Sequence, residues 1–109
     1  MSRIGIIGGG AAGLMAAIAA AEHGAEVVIF EANDRMGKKI LSTGNGRCNL
    51  TNLYADVAHY HGEQPEFIRG AASKLWVEET IWLFWQMGIL TKTEERGKVY
   101  PYCGTAAAV

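Results

Sequence analysis

Apolar residues follow two unlike regimes along this chain. Near the start they come in unbroken runs; further on they are scattered through polar and glycine-rich segments. Arg3-Ile4-Gly5-Ile6-Ile7 is a short β-branched run ending in glycines, the form of a strand buried in a parallel sheet. Ala11 to His23 is alanine-rich and free of proline, which predicts a helix whose small side chains let it lie close on a sheet. Gly24 is placed to stop that helix. Glu26-Val27-Val28-Ile29-Phe30-Glu31 then repeats the strand pattern. Strand, helix and strand, about residues 3–31, make a βαβ unit with a right-handed crossover.

Beyond Glu31 the pattern breaks up. Asn33 to Asn52 is polar and punctuated by glycine, with at most a short helix near Lys38–Leu41. Tyr54 to Gln64 has little periodicity. A helical segment, about residues 65–88, follows: Pro65 opens a helix over Glu66–Ala72, and Ser73 caps another over Lys74–Met87 that Gly88 ends. Trp76, Trp82 and Trp85, with Ile81, Leu83 and Phe84, make this last helix apolar nearly all round, the pattern of a buried helix. Part of its cover is expected from sequence outside this chain. Lys98-Val99-Tyr100 predicts a short strand before Pro101, and the final "GTAAAV" reads as the opening turn of a helix.

Composition changes this picture little. The chain has 109 residues, half of them apolar, enough for one domain. Ten basic and eleven acidic residues give a net charge of −1, which argues against a nucleic-acid or anionic-membrane partner. Ile4 to Ala21 carries no charge and imitates a membrane span or a signal, but five of its residues are glycine, which the soluble reading alone explains. Cys48 and Cys103 lie 55 positions apart without a C-x-x-C pattern, so metal-ribbon and dithiol chemistry are not expected. Cys48 reads as a small packing residue rather than a nucleophile. His59 and His61 lack nearby acidic or cysteine partners, so no metal site is expected. Asn49-Leu50-Thr51 is a formal glycosylation sequon, set aside because the chain reads as cytoplasmic.

The chemistry sits at the first turn. Gly8-Gly9-Gly10-Ala11-Ala12-Gly13 is a G-x-G-x-x-G sequence that follows a strand and opens a helix. An acid, Glu31, ends the next strand 23 residues after Gly8. In that context the motif is specific for dinucleotides. Gly8 permits the tight turn, Gly10 lets backbone approach a pyrophosphate, and Gly13 allows close helix–strand packing. The N–H groups and positive dipole end at Ala11, Ala12 and Gly13 would hold the phosphates. Glu31 is placed to accept hydrogen bonds from both adenosine ribose hydroxyls, and its charge disfavours a 2′-phosphate there. The fold class is therefore α/β, a Rossmann-like FAD/NAD(P)-binding domain with a parallel sheet. Two secure strands leave that sheet incomplete, so residues 1–109 are expected to be the N-terminal part of a longer protein. FAD and NAD both use such a unit, and the motif alone leaves the two open.

"TGNGRCNLTN", Thr43 to Asn52, is too polar and glycine-rich for a core element. It is either an idle surface loop or a backbone shaped to lie on a ligand. Gly44 and Gly46 allow close approach or positive φ; Arg47 can pair with a phosphate; Asn45 and Asn49 offer amides to sugar or ribityl oxygens. With the βαβ unit just upstream, the ligand reading is the stronger.

Three stretches together resemble a family of bacterial two-domain flavoproteins of the aminoacetone oxidase and 3-dehydro-bile-acid reductase type. They are Ile7 to Ala17, the run Gly37-Lys38-Lys39-Ile40-Leu41, and Thr43 to Asn52 with its G-R-C-N-x-T-N core. Gly97-Lys98-Val99-Tyr100-Pro101, with Ala106 and Val109 beyond it, completes the resemblance, while Cys103 stands where such proteins usually have serine. The resemblance implies FAD as cofactor, with Lys38, Lys39, Thr43, Gly44, Arg47, Cys48 and Asn49 lining it beside the pyrophosphate and towards the flavin. It implies an oxidoreductase that passes a hydride through FAD to or from a small-molecule substrate, with NAD(P)H a candidate electron donor. The fragment alone is expected to be inactive, and no catalytic acid or base is identified in it. The alternative is an NAD-binding module, either of a dehydrogenase or of a non-catalytic nucleotide sensor.

Overall fold

The computed structural model describes residues 1–109 and divides them into two blocks joined by residues 33–50. The first block is the expected βαβ unit: strand β1 (Arg3–Ile7), helix α1 (Ala11–Glu22) and strand β2 (Glu26–Phe30). β1 and β2 pair in parallel, with Arg3 opposite Glu26 and Ile7 opposite Phe30. Ile6 faces α1, since a Cβ built on Gly13 would lie 3.4 Å from its Cγ2. The same Cβ would lie 1.8 Å from the Gly8 carbonyl oxygen, so only glycine lets the helix sit this close to the turn. Gly24, at φ 81°, ends the helix as expected.

Strand alternation puts Gly5, Ile7, Val28 and Phe30 on the sheet face away from α1. The Phe30 ring lies over Gly5, but Ile7 remains 87% exposed. This face has no layer on it.

The second block is an antiparallel sheet of strands β3 (Thr51–Asn52), β4 (Thr91–Thr93) and β5 (Lys98–Pro101), in the order β3-β5-β4. Two helices, α2 (Phe67–Ala72) and α3 (Val77–Gln86), lie between β3 and β4 in sequence. The central strand β5 carries the core: Val99 and Pro101 are the largest fully enclosed side chains, and Tyr100 is buried between them. Cys48, Val57, Val77 and Ala106 are the other buried apolar residues. None of this core lies in the βαβ unit, and the radius of gyration, 15.1 Å, exceeds the roughly 13 Å of a compact domain this long.

Several expectations need adjustment. α3 begins at Val77, not Lys74, because the Ser73 hydroxyl donates to the Gly70 carbonyl at the end of α2 instead of capping a new helix. Trp76 then takes an extended conformation, with its ring 6.4 Å from that of Tyr60. α3 is also not enclosed within this chain: Val77 is buried, but Trp82 is 59% exposed and Trp85 is also exposed, its indole N–H donating to the Thr91 hydroxyl. Strands β3 and β4 carry no apolar alternation and were not predicted. The final turn, Ala106–Ala108, is a single 3₁₀ turn whose Ala107 N–H donates to the Thr105 hydroxyl.

Gly13→Ala is expected to destabilise the protein by about 3 kcal/mol or more through overpacking against the Gly8 carbonyl. Gly10→Ala, whose Cβ meets nothing within 4 Å, should cost less than about 1 kcal/mol. Urea unfolding of both variants checks the contrast.

Candidate functional site

At the mouth of the βαβ unit the glycine turn is held from three sides. Gly8 takes φ 96° and donates its N–H to the Phe30 carbonyl at 2.8 Å. Gly9 donates its N–H to Glu31 Oε2 at 2.6 Å and accepts from the Gly37 N–H at 2.7 Å. Gly9 is buried, and a Cβ there would lie 3.0 Å from Met36 Cγ. Gly9 is the variable position of the motif, and a side chain there would press on Met36 and Glu31, which only the folded chain brings to it.

The first intrahelical bond of α1 runs from the Leu14 N–H to the Gly10 carbonyl, and no side chain caps the helix. The N–H groups of Ala11, Ala12 and Gly13 therefore have no partner in the helix. Gly10 has ordinary backbone angles and nothing within 4 Å of where its Cβ would be. Open space, free donors and the positive helix end coincide at this point, the arrangement that takes a phosphate.

Glu31 faces the same opening. Its Oε2 accepts from Gly9, while Oε1 accepts from the Asn33 side-chain amide at 2.8 Å and the Asn33 backbone N–H at 3.3 Å. The Gly9 bond first, then the two from Asn33, hold this carboxyl below its ordinary value of 4.5. A carboxylate has about four lone-pair positions, and three are in use. The remaining position lies at Oε2, which accepts only from Gly9.

The loop residues form a second cluster, on the other block. Gly44, Asn45 and Gly46 have φ values of 55°, 55° and 81°, and Cys48 has 58°. The two glycines take the positive φ that was one of their two expected uses, and Asn45 and Cys48 share it without having been singled out for it. A Cβ on Gly44 would meet the Asn49 backbone nitrogen at 2.7 Å, so Gly44 is demanded by the loop's own folding. Cys48 is buried and unbonded to Cys103, as a packing residue should be. The Thr43 hydroxyl donates back to the Ile40 carbonyl at 2.6 Å, and the Asn49 side-chain amide donates to the Thr51 and Val99 carbonyls, each at 3.0 Å. Lys38 and Lys39 are exposed and make no ion pair.

Arg47 donates from Nη2 to Glu94 Oε1 at 2.5 Å and stacks over the Tyr100 ring, 4.1 Å from its centroid. That bond raises the Arg47 pKa and lowers that of Glu94. Tyr100 lies in the predicted strand Lys98-Val99-Tyr100, but its contact with Arg47 and the whole role of Glu94 depend on a partner about 50 positions away and carry no sequence signal.

The two clusters are bridged by residues 35–41. Arg35, Met36, Gly37, Ile40 and Leu41 line a cleft of about 230 Å³ with Leu14 of α1 and the terminal Ala106–Val109 turn. No three metal-ligating side chains come together, and no helix is long and apolar enough to cross a membrane.

A parallel βαβ unit with an open glycine turn and an acid at the end of its second strand defines a Rossmann-type nucleotide-binding domain. The chain belongs to the HI0933-like Rossmann domain family, whose model matches residues 2–109. It is 51% identical over 111 residues to the 3-dehydro-bile acid delta(4,6)-reductase of Clostridium scindens, a match covering all of this chain and 27% of the relative. It is 38% identical to the ribosomal RNA dihydrouridine synthase of Haemophilus influenzae and 34% to that of Escherichia coli, over 87% of this chain and 24% of each relative. The chain thus spans about a quarter of the curated relatives it matches. Two of these relatives are named for ribosomal RNA, so the near-neutral charge of this quarter does not carry an exclusion of nucleic acid.

Glu31 has a depressed pKa in the folded state, so its stabilising effect is complete above its unfolded value and is lost as pH falls through the folded one. Glu94 has the same sign. Unfolding free energy should therefore fall on acidification from about pH 6 to about pH 3, and less steeply in Glu31→Gln than in the unaltered protein. Denaturant titrations across that range measure the difference.

Proposed function

We propose that this chain cradles FAD in a flavin-dependent oxidoreductase. The observation that carries the reading is the open, uncapped start of α1 facing the Glu31 carboxylate. Ala11, Ala12 and Gly13 would hold the pyrophosphate by their N–H groups, and Glu31 a ribose hydroxyl. The loop Thr43–Asn49, with Lys38 and Lys39 before it, would lie along the flavin half. When bound, FAD supplies hydride chemistry at its N5 atom; the chain's own residues bind and orient it.

The relatives support the reaction class. One is named a reductase and two are named for making dihydrouridine, and both names describe adding hydrogen to a substrate. A bile acid and a ribosomal RNA share no shape, so substrate choice belongs to the remaining three-quarters of such proteins. Activity belongs to the full-length protein, with NAD(P)H as candidate donor.

The test uses Gly10→Val and Glu31→Ala in the full-length protein, with flavin-to-protein ratio read after extensive dialysis. A valine at Gly10 fills only open space, so the fold should survive while bound FAD is lost. Glu31→Ala removes a charge-assisted acceptor contributing about 1.5–3 kcal/mol, so FAD affinity should fall at least about tenfold. A protein that purifies without flavin absorbance but binds NAD would support the NAD-module reading instead. Full flavin occupancy in a folded Gly10→Val variant would overturn the cradle.

A further inference from the structure

We infer that Glu94 is a positioning residue for the cofactor loop, acting through Arg47 from the β4–β5 hairpin. The inference rests on the cofactor reading above. Positive φ at Asn45 and Cys48 is costly for residues with side chains, and it persists only where the surroundings over-determine it. Three of the loop's tethers run to one place, β5 and its hairpin. Asn49 is tied to the Val99 carbonyl, Gly44 abuts Tyr100, and Arg47 is clamped between the Tyr100 ring and Glu94.

Glu94 is itself well placed to act as the anchor. Its backbone N–H donates to the Lys98 carbonyl at 2.8 Å across the hairpin, and Lys92 Nζ lies 3.6 Å from the same Oε1 that holds Arg47. A guanidinium held at its edge by a carboxylate and on its face by a ring has its plane fixed. Arg47 then presets the loop's shape before any ligand arrives. Its charge is spent on Glu94, so the phosphates are left to the start of α1 and the loop offers backbone and amide groups.

The experiment compares Glu94→Gln, Glu94→Asp, Arg47→Met and the double variant Glu94→Gln/Arg47→Met in the full-length protein. FAD dissociation constants are measured by flavin fluorescence, and melting temperatures are measured on the FAD-free form. Glu94→Gln should weaken FAD binding about threefold to fivefold, Glu94→Asp should recover part of the loss, and the double variant should bind no worse than Arg47→Met alone. A change in FAD affinity below about twofold, or additive losses in the double variant, would overturn the inference. If Glu94→Gln does not fold, the exchange Arg47→Glu/Glu94→Arg takes its place, and failure to bind FAD better than Arg47→Glu alone overturns it. Loss of FAD in Gly10→Val with retention in Glu94→Gln sinks the positioning role alone. Retention of FAD in a folded Gly10→Val sinks the cofactor reading beneath it.

Discussion

Gly9 is tied at both ends of its peptide. Its N–H meets the Glu31 carboxylate and its carbonyl meets the Gly37 N–H, at 2.6 and 2.7 Å. These two bonds join the end of β1, the end of β2 and the start of the connecting loop at one buried point. The turn leading into α1 can keep its helix end open because its neighbouring residue is so firmly fixed. The acid that would recognise a ribose is thus also a structural brace, and binding geometry and fold stability share one carboxylate.

The second block obeys a different constraint. Its core is built around β5, where Val99, Tyr100 and Pro101 are consecutive buried residues. The loop Thr43–Asn49 is shaped against that strand and its hairpin, not against the βαβ unit. On the proposed reading, nucleotide recognition would be divided: one half set by a local glycine turn, the other by contacts that span some 50 positions.

What could be read from the sequence follows this division. The βαβ unit rests on contiguous apolar runs and on glycines whose spacing carries meaning, and its elements fall where the pattern puts them. Pro65 and Gly88 likewise mark the outer limits of the helical segment. β3 and β4 were illegible because strands of two and three residues, Thr51–Asn52 and Thr91–Thr93, are too short to show alternation. Ser73 misled because a serine between two helices can bond backwards as readily as forwards, and here it does. The Arg47–Glu94 pair was illegible for a further reason: a phosphate and a glutamate are equivalent partners from the cation's side, and Glu94 declares itself only in three dimensions.

The uncovered sheet face has a consequence during synthesis. β1, α1 and β2 are consecutive in sequence and emerge together as the chain is made. Once assembled, they display Ile7, Val28 and Phe30 to water on a face that nothing in the first 109 residues covers. From that moment the nascent protein carries an adhesive surface, and the interval before it is covered is when association with other chains competes with folding. Covering Ile7, Val28 and Phe30 is thus a requirement separate from pairing the strands that carry them.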